Sequence, residues 1–192
     1  MALSLLLQWL VFYSILYLSN SQGQFYEVKP SDISALVGSN VTIPCVIAPP
    51  HGDVQWTKDG LALGYDRQLP AFPYWSIIGD ENRGEFNFLI ESLKLDDEGL
   101  YACEVSPYND APALKQIGHI RALVRPERVQ INDRLFSNEV TLVTMRYDEP
   151  VHQINCRVDG ARPAAQIKWT NENGVEFPAT SRTFAQGNNI FM

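Results

Sequence analysis

The side chains able to do chemistry in this sequence are few, and their spacing points to cross-linking rather than catalysis. Three cysteines, Cys45, Cys103 and Cys156, make an odd set. Three histidines, His51, His119 and His152, have no spacing that would close on a metal ion. Asp96, Asp97 and Glu98 stand together in the manner of acid–base carboxylates, yet they belong to Leu95-Asp96-Asp97-Glu98-Gly99-Leu100-Tyr101-Ala102-Cys103, a corner feeding a strand. There Tyr101 lies two residues before Cys103 on the same face, its ring buried and its hydroxyl bonded to backbone, while Asp97 and Gly99 serve the turn. Gly-x-Ser-x-Gly, phosphate-loop and His-Glu-x-x-His patterns are absent. No enzyme, cofactor or metal site is expected.

The corner requires a partner cysteine on an earlier strand and a tryptophan packed against the bridge. Cys45 and Trp56 occupy those places. From Asn40, the alternation Val41, Ile43, Cys45, Ile47 marks a half-buried strand, irregular at Pro44 because proline cannot donate to a ladder. Val54 and Trp56 alternate with Gln55 and Thr57 in a second strand, and Lys58-Asp59-Gly60 turns the chain into a short third piece, Leu61-Ala62-Leu63-Gly64. Residues 77–78, 85–90, 99–106 and 117–124 continue the series, with Phe86, Phe88 and Ile90 on one face and Ile120, Ala122 and Val124 as the inward set of the last. Before Cys45, residues 25–30 and 34–37 read as edge pieces. Seven to nine short strands over about 100 residues make an all-β antiparallel sandwich.

The chain has 192 residues and a net charge of −7. That acidity excludes an ordinary nucleic-acid binder, which needs a basic stripe to displace counterions. Residues 3–18 form an apolar run ending in small residues, with Ser21 and Gly23 placed for cleavage before Gln24. We read 1–23 as a secretory signal peptide; an uncleaved anchor is the alternative, although the run is short for a bilayer span. A secretory route places the cysteines where disulfides persist. Asn40-Val41-Thr42 is an N-glycosylation acceptor at the start of a strand.

At Arg125-Pro126-Glu127 the first unit, 24–125, passes without a Gly/Ser linker into a second, 126–192, implying a stiff, extended tandem. Strands are expected at Val129 to Ile131, Val140 to Met145 and Ile154 to Val158. Trp169 follows Cys156 much as Trp56 follows Cys45. Cys156 is then either a free buried thiol or the first half of a bridge in a second sandwich that stops before its own corner strand.

The set Cys45, Trp56, Asp97, Gly99, Tyr101 and Cys103 resembles the immunoglobulin superfamily, of the variable or intermediate kind. The segment 54–64 is similar to the first domain of the nephrin and Kirre-like cell-adhesion proteins, Gly84-Glu85-Phe86 to a nephrin strand, and Arg162-Pro163-Ala164-Ala165-Gln166-Ile167-Lys168-Trp169 to their second domain. The likeness runs from Phe25 to about Phe177. Members place an arginine around the positions held here by Tyr74 to Ser76, where it pairs with the corner aspartate; here none is present, and Arg67, Arg83 or the turn backbone are the candidate partners of Asp97.

The resemblance implies cell–cell adhesion by an extracellular, membrane-anchored parent, through homophilic or heterophilic contacts with a same-family ectodomain and not with nucleic acid or a small-molecule substrate. A secreted or receptor-type ligand-binding module without adhesive role is the alternative. With Trp56, Tyr101 and Cys103 inward, Gln55, Thr57, Ala102 and Glu104 face outward. Leu61 and Leu63 are expected to add apolar surface beside them, completing a modest protein-binding patch. Phe72 and Trp75 are rival anchors, or else pack beneath their own loop.

Overall fold

The structure is a computed structural model that describes residues 23–132, 134–135, 148, 153–180, 184–186 and 189–191. The expected signal peptide and the expected strand over Val140 to Met145 lie outside the described residues. Two compact units are present, Met1–Ile33 with Ser39–Arg121 and Ser34–Gly38 with Ala122–Met192.

The alternating segments form ten strands: β1 (Phe25–Val28), β2 (Ile33–Leu36), β3 (Val41–Ile43), β4 (Val46–Ala48), β5 (Val54–Lys58), β6 (Leu61–Ala62), β7 (Trp75–Ile78), β8 (Asn87–Ile90), β9 (Gly99–Val105) and β10 (Leu114–Leu123). One sheet runs β2-β10-β9-β5-β6, a second β3-β8-β7, and β1 pairs with β4. The fold is all-β, its helical content among the described residues being two single 3-10 turns. β10 begins three residues earlier than the alternation suggested, because Leu114 to Ile120 pair without a break against β9.

The strand expected from Val41 to Ile47 is divided at Pro44-Cys45. β3 pairs with β8 and β4 with β1, and across the break Cys45 N–H donates to Asn87 Oδ1 while its carbonyl accepts from Phe86 N. Proline's missing donor ends the ladder, and the Asn87 amide satisfies the next N–H in place of a strand neighbour.

Inward side chains of both sheets make one core: Ile43, Ile47, Trp56, Phe88, Ile90, Leu93, Tyr101 and Ile120 are buried to within a few per cent. Each contributes roughly 1.5–3 kcal/mol by leaving water. The Cys45–Cys103 disulfide crosses between the layers.

In the second unit, β11 (Arg128–Ile131), β12 (Arg134–Leu135) and β13 (Cys156–Asp159) form a three-stranded antiparallel sheet, ordered β12-β11-β13. β14 (Phe184–Gln186) pairs with β15 (Asn189–Phe191). Residues 164–169 carry no strand. Trp169 is half-buried there, its carbonyl accepting from Phe177 N, and Cys156 is a half-buried free thiol whose ionisation burial makes harder.

Candidate protein-binding face

The candidate face is the outer side of the sheet whose inner side holds the bridge. Trp56 stands directly opposite Cys103 in the β5–β9 ladder, and its indole Nε1 donates to Phe86 O at 2.7 Å. The Tyr101 hydroxyl donates to Asp97 O at 2.7 Å, closing the corner. Burial pushes the Tyr101 phenol up, with the Asp97 and Asp59 carboxylates adding to the effect. The Asp97 carboxylate accepts from Lys94 N at 2.7 Å.

The corner therefore needs no arginine, and neither candidate supplies one. Arg67 donates to Gly79 O and Glu85 O and lies over the Phe86 ring, fastening the loop before β8, whereas Arg83 pairs with Glu85. Near the place where the arginine is expected, the Tyr74 ring receives Lys94 Nζ at 4.1 Å.

Phe72 stacks on Trp75 with centroids 4.5 Å apart, and Trp75 meets Phe88 and Tyr101 edge-on. These rings pack onto the aromatic core side chains.

Register fixes which side chains point outward. Gln55, Glu104 and Lys115 form one row across β5, β9 and β10; Ala62, Thr57, Ala102 and Ile117 form the next; Leu100 and His119 pair in a third. Thr57 is 5% and Ala102 4% exposed, so the centre of the face is flush. Thr57 Oγ1 donates to Glu104 Oε1, which also takes Lys115 Nζ at 2.6 Å. Leu100 and Ile117 rise from this floor, 49% and 45% exposed.

Asp59 braces the lower edge, its carboxylate accepting from Leu100 N at 2.8 Å and from Lys58 Nζ at 2.7 Å. The Lys58 bond, then the Leu100 N–H, hold this carboxyl below the usual aspartate value. Gly99 opens the strand with a φ of 155°, and a Cβ added there would also lie 2.6 Å from that carboxylate.

Leu61 and Leu63 depart from expectation. Asp59 and Gly60, with φ of 49° and 85°, make a two-residue turn that sets Leu61 opposite Lys58 and Ala62 opposite Thr57. Side chains alternate along a strand, so Leu61 and, by continuation, Leu63, whose N–H donates to Trp56 O, belong to the opposite side from Gln55 and Thr57. Leu61 is 64% exposed at the sheet edge, but outside the outward rows. The apolar groups on the face are Leu100 and Ile117, which the sequence reading did not single out. Their signal was present: Leu100 shares the parity of Ala102 and Glu104, and Ile117 is out of phase with the inward Ile120 and Ala122.

Asn40 is exposed beside β3, its Oδ1 accepting from Ser92 N at 3.0 Å. Among the described residues no group of His, Cys, Asp or Glu could hold a metal ion, and no helix is long and apolar enough to cross a membrane.

The immunoglobulin-domain family pattern matches residues 26–107. The chain is 34% identical over 157 residues to the irregular chiasm C-roughest protein of Drosophila melanogaster, covering 80% of this chain and 19% of that protein. It is 29% identical over 178 residues to kin of IRRE-like protein 1 of Homo sapiens, covering 93% of this chain and 22% of that protein. Against nephrin of Homo sapiens the identity is 33% over 138 residues, covering 72% and 11%. The chain thus spans about a fifth of the length of the first two relatives.

The solved structure of Rst D1-D2 superposes with a TM-score of 0.70 at 29% identity, over 88% of this chain and 81% of that one. Duf (Kirre) D1 superposes with a TM-score of 0.51 at 36% identity, over 54% of this chain and 99% of that one. The bridge, the buried tryptophan and the tyrosine corner agree with these likenesses: the chain belongs to the Kirre/nephrin family of the immunoglobulin superfamily, a family of non-enzymatic adhesion proteins.

Proposed function

We propose that this chain mediates cell–cell adhesion by docking the outer face of β5, β9 and β10 onto an immunoglobulin domain of a same-family partner, a second copy or a relative. The observation that carries the reading is the face itself. Its centre is flat and uncharged, Glu104 and Lys115 neutralise each other on one flank, and Leu100 and Ile117 project as half-exposed apolar anchors. Such a mixture of a modest apolar centre and a polar rim suits a protein interface.

Gln55, Thr57, Ala102 and Glu104 form the floor and flank of this interface, and Ala62, Lys115 and His119 extend it. The mature chain begins at Gln24, carries a glycan on Asn40, and acts outside the cell as part of a membrane-anchored parent with two tandem domains, 24–125 and 126–192. A cell-aggregation assay tests the reading. Cells displaying the chain should cluster with cells displaying itself or a Kirre/nephrin relative, and Leu100→Asp with Ile117→Asp should abolish the clustering. Ligand binding without aggregation would favour the receptor-type module instead.

A further inference from the structure

Gln24 is only 6% exposed, and its side-chain amide is fully engaged. Nε2 donates to Ser106 O at 2.7 Å and to Pro112 O at 3.1 Å, and Oε1 accepts from Gly52 N at 3.2 Å. Gly52 lies in the turn before β5, and Ser106 and Pro112 in the loop between β9 and β10. Asp53 and Ser106 bond the same two turns directly, and His51 stacks on Tyr108 with centroids 4.9 Å apart. One amide thus clasps the two loops at this end of the sandwich.

A glutamine at a chain's amino terminus has a reaction of its own. The α-amine nitrogen attacks the side-chain Cδ, a new C–N bond closes a five-membered lactam, the Cδ–Nε2 bond breaks, and Nε2 leaves as ammonia with the proton the amine gives up. No oxidant or co-reactant is needed. The product keeps Oε1 but has no Nε2, so Ser106 O and Pro112 O lose their donor. The loss of two part-buried hydrogen bonds opposes such a change.

We propose that Gln24, once it is the first residue, is a lactam-forming modification site that folding closes: the folded domain holds the amide away from its own α-amine, and cyclisation is confined to chains that have not folded. The inference rests on removal of the signal peptide before Gln24 and is independent of the binding face.

The test expresses the chain with its leader, isolates the secreted protein, and reads the mass of its first peptide. Portions are then incubated native and in denaturant with reductant, beside a synthetic peptide of residues 24–30. The expected result is a first residue Gln24 that retains its ammonia, with loss in the native chain at least about tenfold slower than in the unfolded chain and the peptide, since the clasp must open first. A secreted chain that begins elsewhere, arrives already cyclised, or cyclises at the peptide's rate while native overturns the proposal.

Discussion

The two sides of the β5-β9-β10 sheet are made by the same alternation and could hardly differ more in consequence. Inward, Trp56, Tyr101, Cys103 and Ile120 are sealed, and every polar atom of the tryptophan and tyrosine side chains is bonded. Outward, the neighbouring residues Thr57 and Ala102 are small and flush, and Leu100 and Ile117 stand half-exposed. The inner side shows how the domain is held together. The outer side is the surface proposed to meet a partner. Changes to the first should move stability, and changes to the second should move binding at constant stability.

The largest expected effect is on the inner side. Replacing Cys45 and Cys103 together by alanine opens a loop of sequence separation 58 and should cost about 4 kcal/mol in chemical denaturation. A shift under 1 kcal/mol would show that the packed rings, not the bridge, join the layers. Next, Trp75→Ala removes the ring that links Phe72 to Phe88 and Tyr101, for an expected loss of about 2 kcal/mol. If Trp75→Ala left stability unchanged but blocked binding, the aromatic loop would return as the docking anchor.

Tyr101→Phe should cost about 1 kcal/mol by leaving Asp97 O without its donor. It should also alter the alkaline limb. Burial pushes Tyr26 up to about 12 and pushes Tyr101 up as well, so both phenols support the fold fully below the ordinary tyrosine value of 10.0. Above it the unfolded chain ionises first, and stability falls as pH rises through the folded values. A denaturation series in alkaline buffers should show Tyr101→Phe with a shallower fall than the parent.

The smallest effect belongs to Asp59 on the edge between the two sides. Its lowered carboxyl supports the fold above the ordinary aspartate range, and that support is lost as pH falls through the lowered value. Asp59→Asn should therefore cost a few tenths of a kcal/mol at neutral pH, as an exposed pair does, and nothing in strong acid. Equal losses at both pH values would mean that the carboxylate's charge is not what matters.

The inner side was legible in the sequence because its constraints are local and strict. Tyr101 two residues before Cys103 shares its face, and Pro44 cannot donate to a ladder, both by strand geometry, while the tryptophan eleven after Cys45 is part of the pattern that resembles the family. The outer side depended on register, which a single turn decides. Reading Leu61 and Leu63 as part of the face overlooked that Asp59-Gly60 is itself a two-residue turn signature, which places Lys58 opposite Leu61 and reverses the assignment.

Long-range pairing explains the other gaps. The role of Arg67 depends on carbonyls at Gly79 and Glu85, which no local pattern reveals. The second Cys…Trp pair shows the same point from the other direction. Val54–Lys58 is a strand because β9 zips along it, whereas residues 164–169, with Trp169 at their end, meet no such partner among the described residues.

The most direct measurement of the central claim is binding by Leu100→Asp with Ile117→Asp, read beside Leu61→Asp and the melting temperature of each. The double variant should melt within a degree or two of the parent, because half-exposed sites away from the core move stability little. It should lose at least about tenfold in affinity for the partner that the parent binds, as removal of central apolar anchors does. Leu61→Asp should bind as the parent does. Undiminished binding by the double variant, or loss of binding by Leu61→Asp alone, would contradict the assignment of this face.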